Sequence, residues 1–199
     1  MPKNTKILQK ESLVLRKIAK EVPIREIGKE KINKMLSEMR QALNSQDDGV
    51  ALAAPQIGYS LRAFVISPKV FEMTKKKKEN MSDMPRMPLD TEIDWKDTVY
   101  INPVIIKLSK EKKSVEEGCL SVRYLYGQVM RSSKATIEAY DENGKKFIKG
   151  ASGLLAQIFQ HEVDHLNGVL FTDKAKYIED LPPPPIPSSK SSAKSFTKK

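Results

Sequence analysis

The sequence contains little cysteine and histidine: its 199 residues include one Cys and two His. A single cysteine excludes a disulfide bond within the chain, which fits a reducing compartment, and we expect a cytoplasmic location. No run of 18 apolar residues occurs, so we expect no membrane span, and the N-terminal residues lack the apolar stretch of a secretory signal. The early acidic residues Glu11 and Glu21 argue against an organellar transit peptide.

Length and composition predict a single catalytic domain over residues 1–181. A chain of 199 residues can bury a substantial core but is short for two domains. Residues 68–97 are rich in Lys, Met, Asp, Glu and Pro without a clear period, which indicates an exposed insertion. Four consecutive prolines from Pro182 precede a Ser- and Lys-rich segment, so we predict a disordered tail over residues 182–199.

The net charge of +10 is concentrated in two short segments. The run from Lys75 to Lys78 contributes four charges, and the tail contributes four more with no acidic residue after Asp180. Because the rest of the chain mixes charges of both signs, we interpret these runs first as solubility features. The alternative is contact with an anionic partner, such as RNA or the ribosome, through the tail.

Hydrophobic patterning predicts an α+β fold in which antiparallel strands pack around a central helix. Apolar residues at helical spacing predict one helix over about residues 29–44 and a second from residue 150 or 151 to Leu166. The predicted strands are residues 62–67, 98–108, 113–116, 129–130, 135–140 and 146–149. Strands followed by one strong helix favour this class over a doubly wound parallel sheet.

The two histidines, His161 and His165, flank Glu162 in the sequence HEVDH. No helix breaker occurs between Leu154 and Leu166, so both imidazoles lie on one face of the second helix. Two histidines at this spacing can bind one metal ion, with the glutamate beside the ion's open side. The pattern indicates a metallohydrolase.

A histidine pair supplies two ligands, so the third ligand decides the class of site. One group of metalloproteases takes a third histidine after a glycine, but Phe171 stands at that position here. Another group takes a glutamate from a later helix, whereas only three acidic residues follow the motif, all close to the end. Cys119, in the sequence EGCLS, is the strongest remaining candidate because thiolates bind zinc and iron well.

Three blocks of the sequence resemble the peptide deformylase family, whose members remove the formyl group from the N-terminal methionine of newly made proteins. The blocks are GVALAAPQ at residues 49–56, EGCLS at residues 117–121 and QHEVDHL at residues 160–166. They occur in the family's order and spacing, and the similarity covers roughly residues 7–173. The resemblance implies a monomeric enzyme that releases formate from N-formyl-Met nascent polypeptides.

The resemblance also implies a metal centre with a general base. Cys119, His161 and His165 would hold one divalent ion and leave its fourth position for water. Ferrous iron is the expected ion, although the same ligands accept zinc, nickel or cobalt. The ion would lower the pKa of its water, and Glu162 would transfer that water's proton to the departing amine.

Further residues follow from the resemblance. The side-chain amide of Gln56 and the backbone N–H of Leu120 would stabilise the oxyanion. Glu117 is similar to a family glutamate that pairs with an arginine, here Arg131, and this pair would steady the cysteine loop. The substrate-binding residues that we expect are Gly49, Val50, Ala51, Val115, Glu117, Gly118, Leu154 and Ile158. Among them, Val50, Val115, Leu154 and Ile158 would form an apolar pocket for the methionine side chain.

Two residues depart from the family pattern, and two other functions stay open. Ala51 stands where a second glycine is usual, and Gln157 replaces a commonly apolar residue, which puts the pocket's shape and polarity in doubt. The alternatives are another metallopeptidase and a zinc-stabilised, non-enzymatic module with a basic RNA-contacting tail. Glu162 argues against the module, because a structural zinc site has no need of a carboxylate there and fills its fourth position with protein.

Overall fold

A computed structural model describes residues 5–70 and 98–181 of the chain. These residues contain helix α1, Glu30–Asn44, and helix α2, Gly153–Leu166. The strands are β1 Ala51–Ala53, β2 Ala63–Ile66, β3 Thr98–Leu108, β4 Lys112–Cys119, β5 Val122–Ser132, β6 Lys134–Tyr140, β7 Lys146–Ser152 and β8 Lys176–Asp180. The predicted tail and most of the predicted insertion, residues 71–97, lie outside the described residues.

The strands form two sheets, and every strand pair is antiparallel. The larger sheet has five strands in the order β1-β2-β3-β6-β7, and the smaller has three in the order β4-β5-β8. This arrangement confirms the predicted antiparallel strands and the two predicted helices. None of the helices in the described part of the chain is long and apolar enough to cross a membrane.

Helix α1 forms because its apolar residues recur every three or four positions and bury one face against the larger sheet. The buried residues of this face are Ile32, Met35, Leu36, Met39 and Leu43. They belong to the same apolar cluster as Leu52 of β1 and Val65 of β2. The prediction of a helix over residues 29–44 is therefore confirmed to within one residue.

Helix α2 packs its apolar face against the opposite face of the larger sheet from α1. Phe159 contacts Tyr100 of β3 with ring centroids 5.3 Å apart, and Tyr100 stacks on Phe64 of β2. The helix begins at Gly153, later than predicted, because β7 continues pairing with β6 as far as Ser152. Gly153 has a φ of +59°, a conformation that suits glycine, at the point where the strand turns into the helix.

The smaller sheet brings the cysteine block to the side of α2. A tight connection joins β4 to β5, with Cys119 paired to Val122 across it. Val122 and Val129 of β5 pack with Leu15 and Phe171 in a separate apolar cluster, which Cys119 also contacts. The N-terminal segment thus covers one side of the hairpin.

Several strands differ from the prediction. Strands β4 and β5 are longer than the predicted segments at residues 113–116 and 129–130, because each pairs with the other along almost its whole length. Strands β1 and β8 were not predicted at all. Each depends on pairing with another strand, β1 with β2 and β8 with β5, rather than on a pattern within its own residues.

Candidate active site

The structure brings the cysteine and both histidines together. Cys119 ends β4, while His161 and His165 lie one turn apart on α2, and one donor atom from each lies within 4.8 Å of the other two. The Cys119 Sγ and the His165 Nε2 are 3.2 Å apart. One thiolate and two imidazoles are a donor set that zinc and iron accept. The residues therefore fit a divalent ion.

A buried ion pair orients His161. Arg131 donates to Glu117 from Nε at 2.7 Å and from Nη2 at 2.9 Å, and the His161 Nδ1 lies 3.0 Å from the same carboxylate. Burial favours the neutral form of Glu117, but hydrogen bonds from Arg131 and His161 outweigh it and lower the Glu117 pKa to about 2. An ionised Glu117 holds the Nδ1–H of His161, which leaves Nε2 as the ring nitrogen that can bind a metal ion.

Arg131 also binds a second carboxylate. Its Nη1 donates to the Asp164 Oδ2 at 2.6 Å, and Lys174 donates to both oxygens of Asp164 at 2.6 and 2.7 Å. Asp164 lies inside the HEVDH motif, so the guanidinium links the cysteine strand to the motif helix on the side away from the cavity lining. Sequence reasoning assigned no role to Asp164 or Lys174.

Glu162 is buried, and its Oε2 has no hydrogen-bond partner within the described residues. Burial raises the pKa of Glu162 to about 7; Glu117 adds to this effect, and His161 opposes it. A carboxyl group with this pKa can both accept and release a proton near neutral pH. Burial also lowers the pKa of His165 well below its ordinary value, which favours the neutral imidazole that binds metal ions.

Gln56 is buried at the other side of Cys119, on a short 3-10 helix, Ala54–Ile57. Its Oε1 accepts a hydrogen bond from the Ala53 N–H at 2.7 Å, which fixes the orientation of the amide. The Nε2 then faces the cysteine loop, 3.1 Å from the Ser121 Oγ and 3.5 Å from the Cys119 Sγ. Ser121 is a further contact that sequence reasoning did not single out.

A cavity of about 270 Å³ opens beside this cluster. Its lining includes most residues that the sequence predicted for the substrate, namely Gly49, Val50, Ala51, Glu117, Gly118, Leu154 and Ile158. Cys119, His161, Glu162, Gln56 and Leu120 lie in the same lining. The cavity thus combines apolar walls with a few polar groups, as small-molecule and peptide sites do.

Val115 is the predicted pocket residue that does not line this cavity. It is half-buried on β4, paired with Val129, and lies two residues before Glu117 on the same face of the strand. Its position further along β4 takes it away from the cavity walls. Gln157 does line the cavity, and its Nε2 donates to the backbone carbonyl of Glu116 at 2.8 Å.

Arg123 and Asp48 also line the cavity, and sequence reasoning missed both. The Arg123 Nη1 donates to the Asp48 Oδ2 at 2.5 Å, and its Nη2 donates to the Gln46 Oε1 at 2.7 Å. Asp48 lies one position before the first family block, and Arg123 lies two positions after the second. This proximity is the sequence signal that could have indicated a role in the site. Their pairing across 75 positions required the fold.

Comparison with known proteins agrees with this geometry. The family model described as polypeptide deformylase matches residues 4–180. The peptide deformylase of Carboxydothermus hydrogenoformans is 39% identical over 165 residues, which are 83% of this chain and 89% of that protein. Peptide deformylase 1A, chloroplastic/mitochondrial, of Arabidopsis thaliana is 38% identical over 161 residues, 81% of this chain and 57% of that protein.

Solved structures give the same relationship. The Met-Ala-Ser-bound class I type b peptide deformylase from Acinetobacter baumannii superposes with a TM-score of 0.70 at 30% identity, over 87% of this chain and 99% of that one. A peptide deformylase from Legionella pneumophila superposes with a TM-score of 0.67 at 36% identity, over 86% of each chain. The chain belongs to the polypeptide deformylase family of enzymes.

Proposed function

We propose that this enzyme is a metal-dependent hydrolase that removes the N-formyl group from the N-terminal methionine of newly made proteins. The observation that carries the proposal is the cluster of Cys119, His161 and His165, whose donor atoms lie within 4.8 Å of one another beside the buried Glu162. A structural zinc site would have no use for an unpartnered carboxylate at its edge.

Cys119, His161 and His165 would hold a divalent ion, which would act as a Lewis acid and lower the pKa of a water molecule. Glu162 takes a proton from the attacking water as the general base and gives it to the departing amine as the general acid. The Glu162 Oε2 has no hydrogen-bond partner among the residues that the structure describes, and the pKa of Glu162 is raised to about 7. Both support this double role, because the group changes protonation readily at neutral pH. Formate and a free amino terminus are the products.

Gln56 and Leu120 stabilise the negative charge that develops on the formyl oxygen. The amide of Gln56 is held by the Ala53 N–H, so it need not reorganise during the reaction. Leu120 follows Cys119 directly, and its backbone N–H belongs to the loop that also carries the sulfur. Preorganised donors of this kind act more strongly on the transition state than on the ground state.

The apolar part of the cavity binds the methionine side chain. Val50, Leu154 and Ile158 provide this surface. Ile158 belongs to the apolar cluster that contains Phe159 and Tyr100, and Val50 and Leu154 pack against that cluster. The Met-Ala-Ser ligand of the Acinetobacter baumannii structure supports an N-terminal methionine as the occupant. The formyl group is small enough to lie beside the metal ligands, whereas an ordinary acyl chain is not.

We propose that α2 is the central helix of the fold and the scaffold of the site. Phe159 faces the larger sheet, while His161 contacts Glu117 of the smaller sheet. A helix fixed by packing on one face holds ligands on its other face with little freedom.

We propose ferrous iron as the metal ion in the cell and a monomer as the oligomeric state of the enzyme.

The basic tail is proposed to be dispensable for chemistry and to serve contact with the ribosome. The sequence after Asp180 contains four lysines and no acidic residue. Deleting residues 182–199 should leave activity on short peptides within about twofold, while any ribosome binding should be weakened and sensitive to salt. A large loss of activity on short peptides would show that the tail completes the site.

The decisive experiment measures formate release from formyl-Met-Ala-Ser by protein purified without oxygen and loaded with ferrous iron. Glu162→Ala should retain metal but lose turnover, whereas Cys119→Ala should lose metal, as elemental analysis would record. Stoichiometric metal of unchanged affinity in Cys119→Ala would refute the ligand assignment. Cleavage of internal peptide bonds without formate release would instead favour a metallopeptidase.

A further inference from the structure

We propose that Gln9, from the N-terminal segment, is a positioning residue for the metal-binding sulfur of Cys119. It would act through a single peptide group, the one between Leu120 and Ser121. The inference rests on the proposed metal site, and it adds a residue that belongs to none of the three family blocks and does not line the cavity.

Two hydrogen bonds meet on this peptide group. The Gln9 Nε2 donates to the Leu120 carbonyl oxygen at 3.1 Å, and the Ser121 N–H donates to the Cys119 Sγ at 3.4 Å. The carbonyl and the N–H belong to one planar trans peptide, so they point in opposite directions. When Gln9 holds the carbonyl on one side, the N–H is directed to the sulfur on the other.

The N–H donor restricts the direction of the sulfur's remaining lone pairs, and outer partners of this kind orient a metal ligand and tune metal affinity. Hydrogen bonds in series polarise one another, so the donor on Leu120 strengthens the bond to Cys119.

The same segment contacts both halves of the proposed oxyanion site. The Leu8 N–H donates to the Gln56 carbonyl at 2.8 Å, next to the Gln9 contact with Leu120. This backbone bond does not involve the Gln9 side chain. Ile7 and Leu8 also pack against two of the apolar clusters. The segment should therefore remain docked when only the Gln9 side chain is changed.

The test compares variants that remove or keep the donated hydrogen bond. Gln9→Met keeps a similar volume without a donor, Gln9→Glu places an acceptor against the carbonyl, and Gln9→Lys restores an N–H donor. Gln41→Met is the matched control, because Gln41 is also half-buried and its side chain makes no hydrogen bond within the described part of the chain. Each protein is loaded with Co²⁺, and its affinity is measured by competition with a chelator.

Gln9→Met and Gln9→Glu should bind Co²⁺ about 10- to 100-fold more weakly than the unmodified chain, with a shifted thiolate-to-cobalt charge-transfer band. Gln9→Lys should recover most of the affinity, and Gln41→Met should match the unmodified chain. If Gln9→Met fails to fold, the comparison of Gln9→Glu with Gln9→Lys decides the outcome.

Two results would overturn the inference. Affinity and band position in the Met and Glu variants equal to those of Gln41→Met would show that Gln9 does not act on the sulfur. A Gln9→Lys variant as weak as Gln9→Met would show that the donated hydrogen bond is not the cause. Failure of the proposed function looks different, because the unmodified chain itself would then bind no Co²⁺ or release no formate.

Discussion

Two arginine–carboxylate pairs lie next to the cavity, and they differ most in burial. The side chains of Glu117 and Arg131 are 2% and 5% exposed, whereas those of Asp48 and Arg123 are 56% and 26% exposed. The buried pair also binds His161 and Asp164, while the exposed pair also binds the amide of Gln46. The same kind of ion pair is thus found once in the protein interior and once at the surface.

The environment decides what each pair contributes. A charge left unpaired in the interior costs several kcal/mol, because neither water nor a partner compensates it. An exposed pair keeps much of its hydration, and its net contribution to stability is usually below about 1 kcal/mol. We therefore expect the buried pair to control folding and metal binding, and the exposed pair to affect substrate binding weakly.

The largest expected effect follows from Arg131→Met. The substitution leaves the buried carboxylate of Glu117 without its guanidinium, whereas the half-buried Asp164 keeps Lys174, so the free energy of unfolding should fall by about 3–5 kcal/mol. Metal affinity should fall as well, because His161 loses its oriented acceptor. Urea denaturation and metal titration measure the two effects. Arg123→Met is the matched control, and an equal loss of stability in both variants would contradict the comparison.

Gln56→Ala should have the next largest effect, on catalysis rather than on folding. A preorganised oxyanion donor acts mainly in the transition state, so kcat should fall by about 100-fold or more with little change in metal content. Steady-state kinetics and elemental analysis test both halves of the prediction. Gln157→Ala, a second cavity glutamine, should leave kcat nearly unchanged; equal losses in the two variants would remove Gln56 from the mechanism.

Gln157→Leu should change substrate preference by a smaller amount. Gln157 gives one wall of the cavity a polar group, and an apolar side chain there should favour methionine over a polar first residue. Burying one or two additional methylene groups favours methionine by about 1–2 kcal/mol, or roughly 5- to 30-fold in kcat/KM. Competition between formylated peptides that differ in the first residue measures the ratio, and an unchanged ratio would show that Gln157 does not face the methionine.

The elements that the sequence predicted well are those whose signal is local. Helix α1 carries its apolar residues at helical spacing, and its ends were predicted to within one residue. Strand β8 has five exposed residues, including Lys176 and Glu179, and no apolar alternation, so only its pairing with β5 makes it a strand. The start of α2 was misplaced for a related reason, since β6 extends β7 to Ser152.

The residues of the candidate site also fall into those that local motifs predict and those that only the fold brings together. The three proposed metal ligands follow from motifs of a few residues, and the structure brings them together. The residues around them come from distant parts of the chain: Gln9 contacts Leu120 across 111 positions, and Asp48 contacts Arg123 across 75. No pattern within one segment encodes such a contact, because it depends on how the sheets and helices pack.

The smallest expected effect concerns the exposed pair. Asp48→Asn weakens the link between the segment before β1, which leads into the predicted substrate-binding residues, and the start of β5. We expect KM to rise by about two- to fivefold with kcat unchanged, which is below about 1 kcal/mol, as for other exposed pairs. Steady-state kinetics with a formylated tripeptide, at low and high salt, measures the change.

The dependence of KM on salt and pH should distinguish the exposed Asp48–Arg123 pair from the buried Glu117–Arg131 pair. The hydrogen bond from Arg123, opposed by burial, lowers the Asp48 pKa below 3.8, so the pair's contribution is present above that pH and is lost only as pH falls through the lowered pKa. The KM effect should therefore be constant between about pH 5 and 8, and it should shrink at about 0.5 M salt. Exchanging the charges, with Asp48→Arg and Arg123→Asp together, should restore most of the lost affinity. A double variant no better than Asp48→Asn would show that the pair's attraction is not what positions the substrate.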